Sequence, residues 1–264
     1  MKQRIVTGLA AGAVFVLLAI VGGWAYYGLI LLLALIGFAE YARLNGFAWH
    51  HPAALAGYAG VLYFLLPWDV LKLEQPAALT AAWLLMLLLL VLTVVTKNKT
   101  TLDGAALMLL GAFYIGFGFH AMVAVRAAEP DGLLWTALAF GCIWASDIGA
   151  YFAGRLFGKR KLWPAISPNK TVEGSVGGIA LSLAVACVFA LSAPDAFSLG
   201  TALAIGLLAA VAGQFGDLIQ SAYKRLRGVK DSGNLLPGHG GVLDRCDSWL
   251  IVFPLLLLIG LLPG

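Results

Sequence analysis

The chain has 264 residues, 61% hydrophobic and 11% charged, with a mean hydropathy of +0.93 and a formal net charge of +4. Soluble domains carry about 25% charge, so the composition excludes a soluble globular domain and indicates an integral membrane protein. The apolar runs are continuous and lack a period of two, which also excludes a membrane-spanning barrel.

A bilayer core about 30 Å thick takes roughly 20 apolar residues per helix. Apolar runs between polar, Gly and Pro breaks predict an all-α, polytopic chain of about nine transmembrane helices, at 5–21, 24–44, 52–66, 76–95, 102–126, 132–153, 172–192, 198–222 and 248–262. Lys2 and Arg4 precede the first run as in a signal peptide, but another membrane segment follows with no convincing cleavage site, so the run is read as retained. In the second, Glu40 and Arg43 stand at i,i+3 and are read as a local pair. The turn His50–His51–Pro52 is read as an interfacial anchor before the third helix, and PAALTAAWLLMLLLLVLTVV makes the fourth the plainest span. His120 in the fifth is read as a hydrogen-bonded core residue, since no metal-ligand spacing accompanies it. Residues 1–131 therefore read as scaffold, and 132–264 as a catalytic transmembrane region with two polar loops, 154–171 and 223–247. Cys142, Cys187 and Cys246 form no CxxC and suggest packing rather than a disulfide or zinc.

Lys and Arg stay on the cytoplasmic side of short loops. With the N-terminus inside and nine alternating helices, only Lys72 and Arg126 of the 17 basic residues fall outside. The positive charge thus reports topology and gives no reason to expect nucleic acid.

Acids inside membrane helices cost about 2.5 to 3.5 kcal/mol each on insertion scales, so they face a cavity or a partner. Asp147 and Asp217 are two such acids, both near the cytoplasmic ends of their helices. Helical spacing aligns Asp217, Ser221 and either Lys224 or Arg225 in a polar stripe, while Asp244 and Asp247 are three apart before the last helix. Carboxylates from two segments can hold a divalent metal through hard oxygen ligands, and surrounding Lys and Arg suit a polyphosphate. In PGHGG the glycines permit close backbone approach to an anion and His239 can donate to or stack on a ligand; neither GxxxxGK[ST] nor GxGxxG is present. In SPNKTVEG, Ser167 and Thr171 can cap or turn, Lys170 can bind phosphate, and Glu173 suits the first turn of a helix.

SAYKRLRGVKDSGNLLPGHGGVLDRCD, Ser221 to Asp247, resembles the signature of the phosphatidate cytidylyltransferase (CDP-diacylglycerol synthase) family. Ser221, Lys224, Arg225, Lys230, Asp231, Pro237, His239, Gly240, Gly241, Asp244, Arg245 and Asp247 stand at the matching spacings, and Tyr223 and Cys246 depart only at spacers. GQFGDLIQS, SDIGAYFAGRLFGKRKL and SPNKTVEG extend the likeness over Ser146 to Asp247. The resemblance implies nucleotidyl transfer from CTP to phosphatidate, giving CDP-diacylglycerol and pyrophosphate, in a homodimer of the bacterial cytoplasmic membrane with its site facing the cytoplasm. Asp217 and Asp244 are then expected to hold Mg²⁺, with Asp247 as a further ligand or neighbour, Ser221 completing the stripe, and one or two ions in all. Lys170, Lys224, Arg225 and Lys230 would bind phosphates, His239, Gly240 and Gly241 would shape the nucleotide loop, and Asp231 and Arg245 would orient these groups. Asp147 would be a neighbour of the metal site or a structural acid. A relative acting on another lipid phosphate fits the same residues. A CDP-alcohol phosphotransferase lacks support because Asp103–Gly104 does not continue as DGxxAR. An ion-coupled transporter would share the buried acids, but no inverted repeat is visible.

Overall fold

The structure, a computed structural model, describes residues 2–233 and 240–264. Its elements run α1 (Lys2–Val21), α2 (Gly23–Leu44), α3 (Pro52–Leu65), α4 (Ala78–Val95), α5 (Leu102–Ala127), α6 (Gly132–Phe157), β1 (Lys161–Trp163), β2 (Ser167–Thr171), α7 (Val172–Ser192), α8 (Leu199–Leu226), α9 (Leu243–Cys246) and α10 (Trp249–Leu258). A helix stands at each of the nine expected places.

Among the described residues, six of them, α2, α4, α5, α6, α7 and α8, are long and apolar enough to cross a membrane. The apolar helices Pro52–Leu65 and Trp249–Leu258 are shorter. At 1.5 Å per residue, the ten residues of α10 rise about 15 Å, half a hydrocarbon core. Hydropathy marks a short apolar helix in the same way as a span, so length is what separates these helices from the six.

Both helices that carry the membrane acids outrun their apolar stretches. Hydropathy drops after residue 222, but Lys224, Arg225 and Leu226 are good helix formers and carry α8 four residues further. Gly228, with φ +68°, then turns the chain, and the Val229 N–H donates to the Lys224 carbonyl at 3.0 Å to close the end. α6 likewise continues to Phe157.

In lipid, helices associate through close packing of small residues. The α6–α7 seam shows it: a Cβ on Gly149 would lie 2.6 Å from the Gly177 carbonyl oxygen, and one on Gly178 would lie 2.7 Å from that of Ser146. α4 packs weakly and presents most of its leucines outward, as a lipid-facing helix does, with Leu89 alone of them buried. One continuous apolar core joins α2 and α5 to α8 and α10, so the first and second halves of the chain pack as one body.

Between α6 and α7 the expected loop holds an antiparallel hairpin, with Lys161 opposite Thr171 and Trp163 opposite Ser167. Thr171 ends β2 and caps α7, its Oγ1 accepting the Gly174 N–H at 3.1 Å. Glu173 in the first turn accepts the Lys159 and Arg160 backbone N–H groups, each at 3.1 Å, and so ties the hairpin's entry to the helix. Its ion pair with the exposed Arg160 side chain, at 3.5 Å, adds little beside these bonds. Thr171→Ala is expected to lower stability by about 1 kcal/mol through loss of the cap. A thermal midpoint equal to wild type in detergent would remove Thr171 from that role.

Candidate active site

The ends of α6, α7 and α8, the hairpin and the α9–α10 junction enclose a cavity of about 670 Å³. Asp147, Lys170, Asp217, Asp244, Arg245 and Asp247 all line it, so residues spread over a hundred positions converge as the sequence reading expected.

Asp217 sits on α8 one residue after Gly216, where a Cβ would lie 2.6 Å from the Asp247 carbonyl oxygen. That missing side chain lets the α9–α10 junction close onto α8. Ser248 fixes the approach, its Oγ donating to the Gly213 carbonyl at 3.0 Å. Lys170 reaches in from β2 and pairs with Asp217 at 2.6 Å, and the Ser221 hydroxyl donates to the other Asp217 oxygen at 3.3 Å. The predicted stripe is therefore present, and it extends one turn back to Gln214.

Asp244 is held more tightly. Lys224 Nζ lies 2.6 Å from its Oδ1, while Oδ2 accepts the Ser232 N–H at 2.7 Å, the Ser232 hydroxyl at 3.0 Å and the Gly241 N–H at 2.9 Å. Burial alone would raise this carboxyl, but the Lys224 ammonium and the two backbone donors outweigh it and hold it below the usual Asp range. Asp247 is pushed the other way, up to about 7, first by burial and then by the Asp217 carboxylate, with Asp147 adding to it. Its Oδ1 accepts the Ser248 N–H at 2.7 Å.

Other expected residues stand apart from the cavity wall. Arg225, in the last turn of α8, and Lys230 and Asp231 beyond its end are exposed, with Arg225 donating to the Val229 carbonyl at 3.4 Å. Gly240, at φ +81°, and Gly241 bring the backbone against the Asp244 carboxylate. His239 and Pro237 lie outside the described residues. Among the described residues, no three His, Cys, Asp or Glu side chains gather closely enough to hold a metal ion alone.

Two residues were missed. Gln214 joins three helices: its Nε2 donates to Ser146 Oγ at 3.4 Å and to the Ser175 carbonyl at 3.3 Å, while its Oε1 accepts from the Ser175 hydroxyl. Its position three residues before Asp217 was the available signal. The second is Glu40, read above as the partner of Arg43. Its carboxylate instead accepts from Ser232, Val242 and Leu243, and among the described residues it forms no ion pair with Arg43. An acid within an apolar helix was the signal here, outweighed by a neighbouring arginine at helical spacing.

Comparison with known proteins bears on what this cavity does. The pattern of the Cytidylyltransferase family matches residues 2–262. A phosphatidate cytidylyltransferase of Bacillus subtilis (strain 168) is 43% identical over 258 residues, which cover 97% of this chain and 96% of the relative. One from Staphylococcus saprophyticus is 39% identical over 256 residues, and one from Staphylococcus aureus (strain COL) 36% over 256, each covering 97% of both chains. Such matches take in the scaffold helices as well as the signature loop, and the chain belongs to the cytidylyltransferase family.

Proposed function

We propose that this protein transfers the cytidylyl group of CTP to phosphatidate, releasing pyrophosphate and forming CDP-diacylglycerol. A phosphate oxygen of phosphatidate attacks the α-phosphorus of CTP, the bond to the β-phosphate oxygen breaks, and its electrons leave with pyrophosphate. The attacking oxygen already carries negative charge, so no strong base is needed, and the barrier lies in bringing two polyanions together.

The carrying observation is the cavity at the polar end of membrane helices, where Lys170 and Lys224 stand on Asp217 and Asp244. Both lysines exchange carboxylate for phosphate as the substrates arrive, and Arg245 contributes from the same wall. Arg225, Lys230 and Asp231 form the outer approach, and Gly240 and Gly241 shape the nucleotide loop with His239.

The donor set suits Mg²⁺. Burial and the Asp217 carboxylate raise the cost of ionising Asp247, a cost that a cation relieves. Mg²⁺ is held by one or two carboxylates together with substrate phosphates and water, so no closed protein cage is required. Asp217 and Asp247 would hold the metal, with Asp147 behind them and Asp244 joining as Lys224 turns to phosphate; one or two ions fit this set. Bound there, the metal would neutralise charge on the bridging and leaving oxygens.

The distribution of Lys and Arg supports a cytoplasmic site and N-terminus, and the resemblance supports a homodimer. Cysteines introduced at Lys159 and Arg227 are expected to react with impermeant reagent only from the cytoplasmic side, and the detergent-solubilised particle to weigh as two chains.

Labelled CTP is expected to enter lipid-extractable product only when phosphatidate is present; solute uptake without conversion would favour a transporter. Asp247→Asn should raise the half-saturating Mg²⁺ concentration about tenfold. An unchanged Mg²⁺ requirement would remove Asp247 from the metal set.

A further inference from the structure

Glu40 is 6% exposed, inside α2, about two hundred residues from the loop it touches. Its Oε1 accepts the Val242 N–H at 2.9 Å, and its Oε2 accepts the Leu243 N–H at 3.0 Å and the Ser232 hydroxyl at 3.0 Å. The two amides head α9 and have no acceptor within so short a helix. Space is kept for the carboxylate on both sides of the loop: a Cβ on Gly233 would lie 2.5 Å from Glu40 Oε1, and one on Gly241 would overlap the carboxylate itself. Among the described residues Glu40 pairs with no cation, so its charge is matched by these three donors. A buried carboxylate held in this way is far costlier than a neutral residue in a purely structural place.

The Ser232 hydroxyl shares its one proton between Glu40 and Asp244 while its N–H donates to Asp244, and Gly241, whose missing side chain admits Glu40, gives its N–H to Asp244. Glu40 and Asp244 thus grip one short segment from opposite sides. A second brace lies one turn further along α2. Asn45 Nδ2 donates to the Tyr223 hydroxyl, Arg227 donates to Asn45 Oδ1 at 2.6 Å, and Tyr41 stacks on Tyr223 at 5.4 Å. The same helix thereby fixes both the end of α8 that carries Lys224 and the loop that carries Asp244.

We infer that Glu40 is a positioning residue for nucleotidyl transfer, reaching from the N-terminal helices to set the 240–246 segment so that Asp244 and Asp247 face the cavity. The inference rests on the reading of that cavity as the active site. Glu40 does not line the cavity and acts through the Val242 and Leu243 amides.

Purified full-length Glu40→Gln keeps the shape but sets an amide N–H against one of the chain's own donors. Without substrates, hydrogen exchange in a peptide covering 240–246 is expected to quicken about tenfold, with the helices unchanged. Turnover with labelled CTP should fall about tenfold. Glu40→Asp, which keeps the charge on a shorter arm, should recover part of both. Unchanged exchange, or faster exchange with unchanged turnover, would overturn the inference, as would global unfolding of both variants. Asp244→Asn in the same assay separates the two readings: normal turnover there sinks the active-site assignment, whereas its loss beside a normal Glu40→Gln sinks only the role of Glu40.

Discussion

Asp244→Asn is expected to cost about a thousandfold in turnover while leaving the helical body folded. Both carboxylate oxygens are in use, one by Lys224 and the other by Ser232 and Gly241. An asparagine offers one acceptor and one donor in their place. Turned either way, its NH₂ meets a donor, the Lys224 ammonium or the loop amides. Lys224 and Asp244 have side chains only 12% and 5% exposed, so the contact cannot be handed to bulk water without moving the loop. Removing one partner of such a buried pair costs about 3–5 kcal/mol locally, well beyond a surface ion pair. Steady-state turnover of labelled CTP, read beside the thermal midpoint, checks it. Near-normal turnover would take Asp244 out of the chemistry.

Gly216→Ala tests the same site from its backbone. On helix propensity alone the change should help by up to about 1 kcal/mol. Against this, the new methyl would stand 2.6 Å from the Asp247 carbonyl oxygen and 2.9 Å from the Ser248 Cα, and both are backbone atoms. Ser248 is bonded to Gly213 on α8, so the junction cannot yield by a side-chain rotation. Overpacking of this kind costs about 1–3 kcal/mol and wins over propensity. The lasting effect is geometric: α8 and the α9–α10 junction are pushed apart, and Asp217 leaves Asp247. Turnover is expected to fall about a hundredfold, with a lower thermal midpoint. A more stable and fully active variant would mean that Asp217 and Asp247 need not meet.

Most of this site was legible in the sequence because membrane acids are costly and therefore conspicuous. Asp147 and Asp217 stood out by that cost, Ser221 and Lys224 by helical spacing, and the signature from Ser221 to Asp247 by its fixed intervals. The hairpin was less legible, since three- and five-residue strands leave no usable period, and Pro164 follows the first while Pro168 sits inside the second. Hydropathy found the places of α3 and α10 as readily as those of the longer helices, because both are as apolar as spans although shorter. Glu40 escaped for a different reason. Spacing along a helix identifies neighbours on that helix, whereas its partners come from the far end of the chain. The pairing of Lys170 with Asp217 was also beyond spacing arguments, though both residues had been assigned to one site.

The reach of Glu40 also bears on how the protein comes into being. Its hydrogen-bond partners follow it by 192 to 203 residues, so α2 is synthesised and inserted long before Ser232, Val242 and Leu243 exist. During that interval its carboxylate must be met by water or by temporary donors. The candidate site is complete only with the last helices in place, since its contacts to Glu40 span a high sequence separation. A ribosome stalled before α9 would therefore leave a chain in which the candidate site lacks Asp244 and Asp247 and Glu40 lacks its donors.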